Sequence, residues 1–309
     1  MSRPMRILLI IAGVLIVLGT VLGAIGYALG GGVPVRLSPT GIVRMNTDDN
    51  ATTAINERYG KLTDITIDAD LSTISVEEGD SFSLTGNYNS STMQLDISER
   101  DGKLTVSSNG NNGWWLDFRG PRLSSEIFDH NELVLTYPKG AELNSLILNN
   151  DLGSVRIDGV SANILKVDLD AGSLRGSKIK ADTISVETDL GSCDLDRLEV
   201  TRNAEFLLDA GSLKLKNATI NGLVAKSNLG EFQFSGMLSG RADISMNLGS
   251  LDLDIAIPED ELSYSVRTDL GSTSLNGHEL GAKASRSVTS PTLELFVDSD
   301  LGSVSIWTK

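Results

Sequence analysis

The sequence predicts an all-β fold, a β-solenoid of stacked turns of about 19–20 residues, preceded by one N-terminal transmembrane helix. Three observations predict it. A four-residue pattern recurs at a nearly constant interval, the residues around it alternate between apolar and polar, and a long charge-free segment lies near the N-terminus. In a stacked repeat each turn buries its apolar side against its neighbours, so this interval sets the length of one turn.

The first element is an uncharged apolar segment from Ile7 to Leu29. Its length of 23 residues corresponds to about 34 Å of helix, which is enough to cross a bilayer. Arg3 and Arg6 precede it, and positive side chains tend to stay on the cytoplasmic side. We therefore expect residues 1–30 to anchor a single-pass cell-membrane protein whose C-terminal domain is extracytoplasmic. A cleaved signal peptide is the alternative, because Ala28 and Gly30 have the spacing of a cleavage site.

Residues 31–56 are expected to form a flexible stalk. They contain glycines, two prolines and a polar run from Asn46 to Thr53. The repeat domain is then expected to occupy residues 57–309.

The recurring pattern is Asp or Asn, then Leu or Ala, then Gly, then Ser or Glu, and we expect its glycines to be structural. They are Gly153, Gly172, Gly191, Gly211, Gly230, Gly249, Gly271 and Gly302. Successive spacings are 19, 19, 20, 19, 19, 22 and 31 residues. Glycine at a tight corner can adopt backbone conformations that other residues avoid.

Each turn is expected to contain a half-buried strand before its glycine. Alternation places Leu169 and Ala171 on the buried face and Asp170 on the exposed face. Thr188 is paired with Leu190, whereas Leu169 is paired with Ala171, which predicts that large and small side chains of successive turns pack together. A further apolar column is expected seven residues after the glycine, at Val160, Ile179, Leu198, Ala218, Met237 and Ala256.

The ends of the array differ from its middle. Alternation around Asp70 predicts that the array begins before the first glycine, with Ser72 in the glycine position. A polar insertion at residues 277–291 interrupts the period before a last repeat from Leu293 to Trp307. We expect the insertion and the last strand to shield the end of the stack, as stacked repeats require.

The Asp and Asn side chains of the pattern form one column. Stacking would bring Asp151, Asp170, Asp189 and Asp209 about 5 Å apart, so a calcium-binding ladder is one interpretation. The favoured alternative is structural, with each side chain accepting hydrogen bonds from amides at the corner. Asn228 and Asn247 favour the structural alternative, since they replace carboxylates.

Three aromatic residues form the strongest local anomaly outside the repeats. Trp114, Trp115 and Phe118 lie in a Gly/Asn-rich loop at residues 109–121. Exposed aromatic side chains in a loop can contact a partner, whereas a structural role would be to support the side of the solenoid.

Composition and motifs argue against several functional classes. The net charge of −15 is unfavourable for a nucleic-acid partner. Cys193 is the one cysteine and is expected to be buried, and the two histidines, His130 and His278, have no partner at a motif spacing. We therefore expect no enzymatic activity and no cofactor, and a glycan-active enzyme is the third of three hypotheses.

One stretch carries a family resemblance. The residues from Leu133 to Gly140 read LVLTYPKG, and those from Leu146 to Val155 read LILNNDLGSV. With the repeats that follow, this order resembles the putative-adhesin family of bacterial β-strand-repeat cell-envelope proteins, a domain of unknown function, over roughly Tyr59 to Lys309. The resemblance implies a β-solenoid outside a bacterial membrane, a link to envelope stress, and no catalytic residues to transfer.

These observations lead to one function hypothesis and one alternative. The chain is expected to be a membrane-anchored, non-enzymatic binding, adhesin-like or scaffold protein that contacts an envelope protein or glycan. Self-assembly into an envelope structure is the alternative, because the open sheet edges of a solenoid can pair end to end.

Overall fold

The computed structural model describes residues 35–38, 41–44, 52–90, 94–108, 115–116 and 131–309. These residues form two compact units, one within residues 1–51 and 110–126 and the other within 52–109 and 127–309. The described strands are β1 (Val35–Ser38), β2 (Gly41–Arg44), β3 (Thr52–Arg58), β4 (Asp64–Gly79), β5 (Ser83–Asn89), β6 (Leu95–Arg100), β7 (Lys103–Ser108), β8 (Trp115–Leu116), β9 (Glu132–Pro138), β10 (Leu143–Asp158), β11 (Ser161–Ile255), β12 (Leu262–Leu275), β13 (His278–Glu279), β14 (Lys283–Arg286) and β15 (Leu293–Thr308).

The first unit contains a small antiparallel sheet in the order β2-β1-β8. Two of its strands, β1 and β2, fall inside the interval 31–56 that was predicted to be a flexible stalk. The predicted transmembrane segment, residues 7–29, lies outside the described residues. Among the described residues, no helix has the length and apolar character that a membrane span requires.

The second unit is a stack of parallel turns. On one side β10 pairs in parallel with β4, and on the other it pairs with the start of β11, so Gly153 lies between Ser72 and Gly172. The long strand β11 continues the stack through further turns at the same interval. The prediction of an all-β repeat fold is confirmed.

A continuous core column runs through the stack five residues before each corner position. Its members are all almost completely buried, and they are Ile67, Leu148, Val167, Val186, Phe206, Ala225, Ile244, Val297 and Val266. Most are branched or aromatic residues that suit a strand. Because each turn contributes one member, the apolar surface of a turn is covered only by the turns on either side.

Each corner glycine lies against the backbone carbonyl group of the corner residue in one of its two neighbouring layers. A Cβ atom built on Gly211 would lie 1.6 Å from the carbonyl oxygen of Gly191, and one on Gly302 would lie 1.7 Å from that of Gly249. Contacts this short are impossible for a real side chain, so the position requires glycine. At Ser72 the requirement ends, because β7 pairs with residues 64–68 and β9 with residues 73–79, and neither strand pairs with β4 at the corner itself.

The order of the last two turns is reversed relative to the chain. The final strand β15 lies between the last turn of β11 and β12, with Gly302 paired to Gly249 on one side and Gly271 on the other. The sequence analysis predicted that the last strand shields the end of the stack. It does not, because β15 lies inside the stack. Instead β12 is the end layer, and β13 and β14, both within the insertion 277–291, pair antiparallel with its outer edge.

Two further details differ from the sequence expectations. The stacked unit begins five residues before position 57, because Thr52 of β3 pairs with Asn89 of β5. In the column seven residues after the glycine, Met237 is 45% exposed and Leu238 is buried instead. The reason is Gly236, which lies against the carbonyl oxygen of Ala218 and makes the local register 18 residues instead of 19.

Candidate functional site: the corner surface

The corner of each turn exposes two consecutive side chains. At Gly191, Thr188 and Cys193 are buried, whereas Asp189 and Leu190 between them are exposed. Strict alternation cannot place residues five apart on the same face, so the chain changes phase as it turns at the glycine. The prediction that Leu190 and Ala171 pack inside the stack is therefore wrong, since Leu190 is 60% exposed and Ala171 is half-buried.

The result is a row of apolar side chains on the outside of the stack, which we call the leucine row. In spatial order its members are Leu152, Ala171, Leu190, Ala210, Leu229, Leu248, Leu301 and Leu270. The six leucines are between 42% and 66% exposed. They account for six of the ten exposed large apolar side chains in the described ranges, so this exposure is concentrated and not scattered.

The leucine row is long, and it is densest at one end. Eight layers at about 4.8 Å give a length of roughly 34 Å. Alanines separate the leucines in the first half, whereas Leu229, Leu248, Leu301 and Leu270 follow one another without interruption. This four-leucine segment is the largest continuous apolar feature of the corner surface.

The Asp/Asn column runs directly beside the leucine row, one residue earlier in each turn. Asn228 donates a side-chain hydrogen bond to Asp209 (2.9 Å), and Asn247 donates one to Asn228 (2.9 Å). Near the end of the stack, Arg267 forms an ion pair with Asp269 (2.9 Å). Beside Leu229 and Leu248, amide hydrogen bonds therefore join successive turns of the column, and beside Leu270 the carboxylate of Asp269 is paired with a guanidinium group.

The other half of the Asp/Asn column carries closely spaced carboxylates. Burial raises the pKa of Asp151, and the charges of Asp70 and Asp170 raise it further. Burial likewise raises the pKa of Asp68. In the part of the chain that the structure describes, no group of three or more His, Cys, Asp or Glu side chains is placed to hold a metal ion. The calcium ladder at Asp151, Asp170, Asp189 and Asp209 remains an untested prediction.

The raised pKa of Asp151 leads to a test by pH. A carboxyl group whose pKa is higher in the folded state stabilises the fold fully below its unfolded value of 3.8, and this contribution is lost as pH rises through the folded value. Asp151→Asn should therefore raise the free energy of unfolding at pH 7, by about 0.5 kcal/mol or less because the group is largely exposed. Thermal unfolding at pH 3.5 and pH 7 measures this, and the gain should vanish at pH 3.5.

Asp196→Asn is the matched control with the opposite sign. A hydrogen bond from Asn217 lowers the pKa of Asp196, and the charge of Arg197 lowers it further. Its ionised form stabilises the fold above the unfolded pKa, so this variant should be less stable than the native chain at pH 7. Equal effects of the two substitutions on stability at pH 7 would contradict the opposite directions of the two pKa shifts.

A second exposed feature lies on the strands that precede the corner. The guanidinium group of Arg241 lies 4.3 Å from the ring centre of Phe296. Phe296 and Asp298 border a shallow groove together with Lys226, Asp243 and Arg267. The sequence analysis did not identify Phe296 as exposed. Its paired residues in the adjacent turns, Asp243 and Ser265, are polar and could have indicated this.

The aromatic residues predicted as a partner contact are only partly described. Trp115 lies in β8, paired with Arg36, and Trp114 and Phe118 lie outside the described residues. Cys193 is buried as expected, and burial raises the pKa of its thiol. His278 is exposed in β13, and His130 lies outside the described residues.

The sequence profile of the Toastrack DUF4097 family matches residues 62–292. The chain belongs to this family. The match covers the strands from β4 to β14 and seven of the eight residues of the leucine row, and it ends just before β15. A domain of this family has no established function, which agrees with the resemblance seen in the sequence.

Solved structures described as putative adhesins or a putative cell adhesion protein are similar to this chain at low identity. A putative adhesin from Bacteroides fragilis NCTC 9343 is 12% identical, with a TM-score of 0.47 over 83% of this chain and 97% of that chain. A putative adhesin from Parabacteroides distasonis ATCC 8503 is 10% identical, with a TM-score of 0.45 over 84% and 98% of the two chains. A putative cell adhesion protein from Clostridium sporogenes ATCC 15579 is 11% identical, with a TM-score of 0.35 over 84% and 100%. No curated protein matches the sequence.

Proposed function

We propose that this protein is a membrane-anchored, extracytoplasmic, non-enzymatic binding protein whose contact surface is the leucine row. The single observation that carries the proposal is the uninterrupted exposure of Leu229, Leu248, Leu301 and Leu270. Exposed apolar surface of this kind, bordered by polar residues, is typical of interaction sites. The segment Ile7–Leu29 would supply the anchor, and the aromatic loop 109–121 would be a separate contact.

The surroundings of the leucine row define the chemistry of the partner. Beside the four-leucine segment two of the four Asp/Asn positions are aspartate, beside the rest of the row all four are, and the whole chain carries a net charge of −15. An acidic border favours a protein partner that presents apolar side chains flanked by Lys or Arg. Anionic lipid headgroups would be repelled by the same carboxylates, which makes a protein the favoured partner over a membrane surface.

The proposal is tested with full-length chain and two model peptides of equal length, one of alternating leucine and lysine and one of alternating leucine and glutamate. We expect binding of the first and little binding of the second, with affinity that falls as salt is added. Replacing Leu229, Leu248, Leu270 and Leu301 with Thr should weaken binding by at least about 100-fold, since buried anchor side chains contribute about 1 kcal/mol or more each. Threonine keeps the preference for strand structure.

The control replaces two exposed apolar residues outside the leucine row. Ile164 and Met237 are 49% and 45% exposed, similar to the leucines. Ile164→Thr together with Met237→Thr should leave binding unchanged. The proposal would be contradicted if the control substitutions weakened peptide binding as much as the leucine substitutions do. Equal binding of the two peptides would also contradict it. Crosslinking in intact membranes with the same variants then asks whether an envelope protein is captured through the leucine row.

A further inference from the structure

The stack contains a slot that is filled by the last strand of the chain. Fifteen residue pairs join β15 to β11, and thirteen join it to β12 on the other side. Both edges of the slot are formed by earlier parts of the chain. Until β15 enters, these two edges therefore present unpaired backbone groups to any strand that fits.

The connection before β12 leaves the slot open. The interval from Gly249 to Gly271 is 22 residues, three more than most intervals, and the 3-10 helix Glu259–Glu261 lies within it. These additional residues let the chain rise by two layers instead of one. The slot is thus bounded entirely by residues that precede β15 in the chain.

The connection that leads to β15 is long and held by few backbone pairs. Residues 276–292, 17 in number, separate β12 from β15, and when extended they could span about 55 Å. Along the edge of β12 they are paired through β13, with two residue pairs, and β14, with four. Two more backbone hydrogen bonds run from Leu280 N–H to the Thr273 carbonyl and from Thr268 N–H to the Ala282 carbonyl. Asn276 and Arg286 also bind Glu259, at 2.8 Å and 2.5 Å.

We propose that β15 is exchanged between two copies of this chain, so that the slot of each copy is filled by the last strand of the other. A second copy provides the same sequence, so every pair along β11 and β12 is reproduced after exchange. The length of residues 276–292 allows the strand to reach a neighbouring stack. The free edge of β14 is short and contains Lys283 and Arg286, which makes end-to-end pairing of stacks the less favourable route to association.

Exchange would also make the leucine row a shared surface. Leu301 belongs to β15 and lies between Leu248 and Leu270. In an exchanged dimer the four-leucine segment of each stack contains one leucine from the other copy. This inference goes beyond the proposed binding function and does not require that a partner exists.

The test uses two full-length chains with different affinity tags, co-expressed so that exchange can occur during folding. One carries Asp252→Cys and the other Ser305→Cys, positions that are directly paired between β11 and β15. Neighbouring strands bring such residues within the range of a disulfide bond. After oxidation we expect a covalent heterodimer, at a yield at least tenfold above that of a control pair. The native Cys193 is buried and is left in place.

The control pair is Arg156→Cys and Arg175→Cys, which are also directly paired but join β10 to β11 inside the stack. In single chains that carry both cysteines of a pair, Arg156→Cys with Arg175→Cys should close within the chain, whereas Asp252→Cys with Ser305→Cys should link two copies of the chain. Equal heterodimer yields from the two pairs, or no heterodimer from Asp252→Cys with Ser305→Cys, would overturn the proposal. A monomer mass for the native full-length chain by light scattering would also overturn it. Failure here leaves peptide binding by the leucine row intact, so the two proposals are separable.

Discussion

Gly211→Ala is expected to reduce the free energy of unfolding by about 3 kcal/mol or more. A Cβ atom at this position would lie 1.6 Å from the carbonyl oxygen of Gly191 and 2.7 Å from its carbonyl carbon. These are backbone atoms, so no side chain can move aside, and the two layers would have to separate. Separation would break the ladder of backbone hydrogen bonds and expose the apolar columns on both sides. Urea denaturation followed by circular dichroism measures the effect.

Gly60→Ala is the matched control for this substitution. A Cβ atom on Gly60 would meet no atom within 4 Å. We expect its free energy of unfolding to change by no more than about 0.5 kcal/mol. Similar losses at the two positions would show that glycine is needed at the corners for a reason other than the close approach of layers.

Leu295→Ala is expected to destabilise the fold by about 3 kcal/mol, the usual cost of truncating a leucine in a packed core. Leu295 is completely buried in β15, where it is paired with Ala242 on one side and Tyr264 on the other. If the last strand were the end layer, Leu295 would have neighbours on one side only, and its truncation would cost less. The substitution therefore tests the reversed order of the last two turns.

Two other leucine truncations calibrate the measurement. Leu253 is completely buried in β11, and Leu253→Ala should cost about as much as Leu295→Ala. Leu95 is half-buried in β6, which among the described strands pairs with β7 alone, so Leu95→Ala should cost clearly less. A loss at Leu295 that matches Leu95 instead of Leu253 would contradict the interior placement of β15.

Much of the fold could be predicted from the sequence because the repeat is regular. The interval of 19 or 20 residues and the alternation before each glycine identify the turns and their buried columns. The corner itself could not be read from alternation, because the phase changes between Thr188 and Cys193 and turns Leu190 outward. An exposed leucine and a buried leucine look the same in a pattern of apolar residues. The leucine row was therefore hidden in what had been interpreted as core.

The reversed order of β12 and β15 left a trace in the sequence that could have been used. The spacing of 22 residues before Gly271 is too long for a one-layer step, and the spacing of 31 before Gly302 is long enough for a return. Neither number by itself says which strand lies outside. The deciding information is the pairing of Gly302 with both Gly249 and Gly271, which is a property of the folded chain.

The one-sided approach of the corner glycines has a consequence for how such a stack can change its length. A duplicated segment of 19 residues would contain a corner glycine that can pack against the carbonyl group of the layer below. The carbonyl group of that same glycine would be available to the glycine of the layer above. It could enter the middle of the stack without altering the cross-section, adding about 4.8 Å of height and one more side chain to the row. The two ends would stay as they are, because Ser72 needs no layer beneath it and β12 remains covered by β13 and β14. Whole-turn gene duplication is therefore a gradual evolutionary route to a taller stack with a larger contact area.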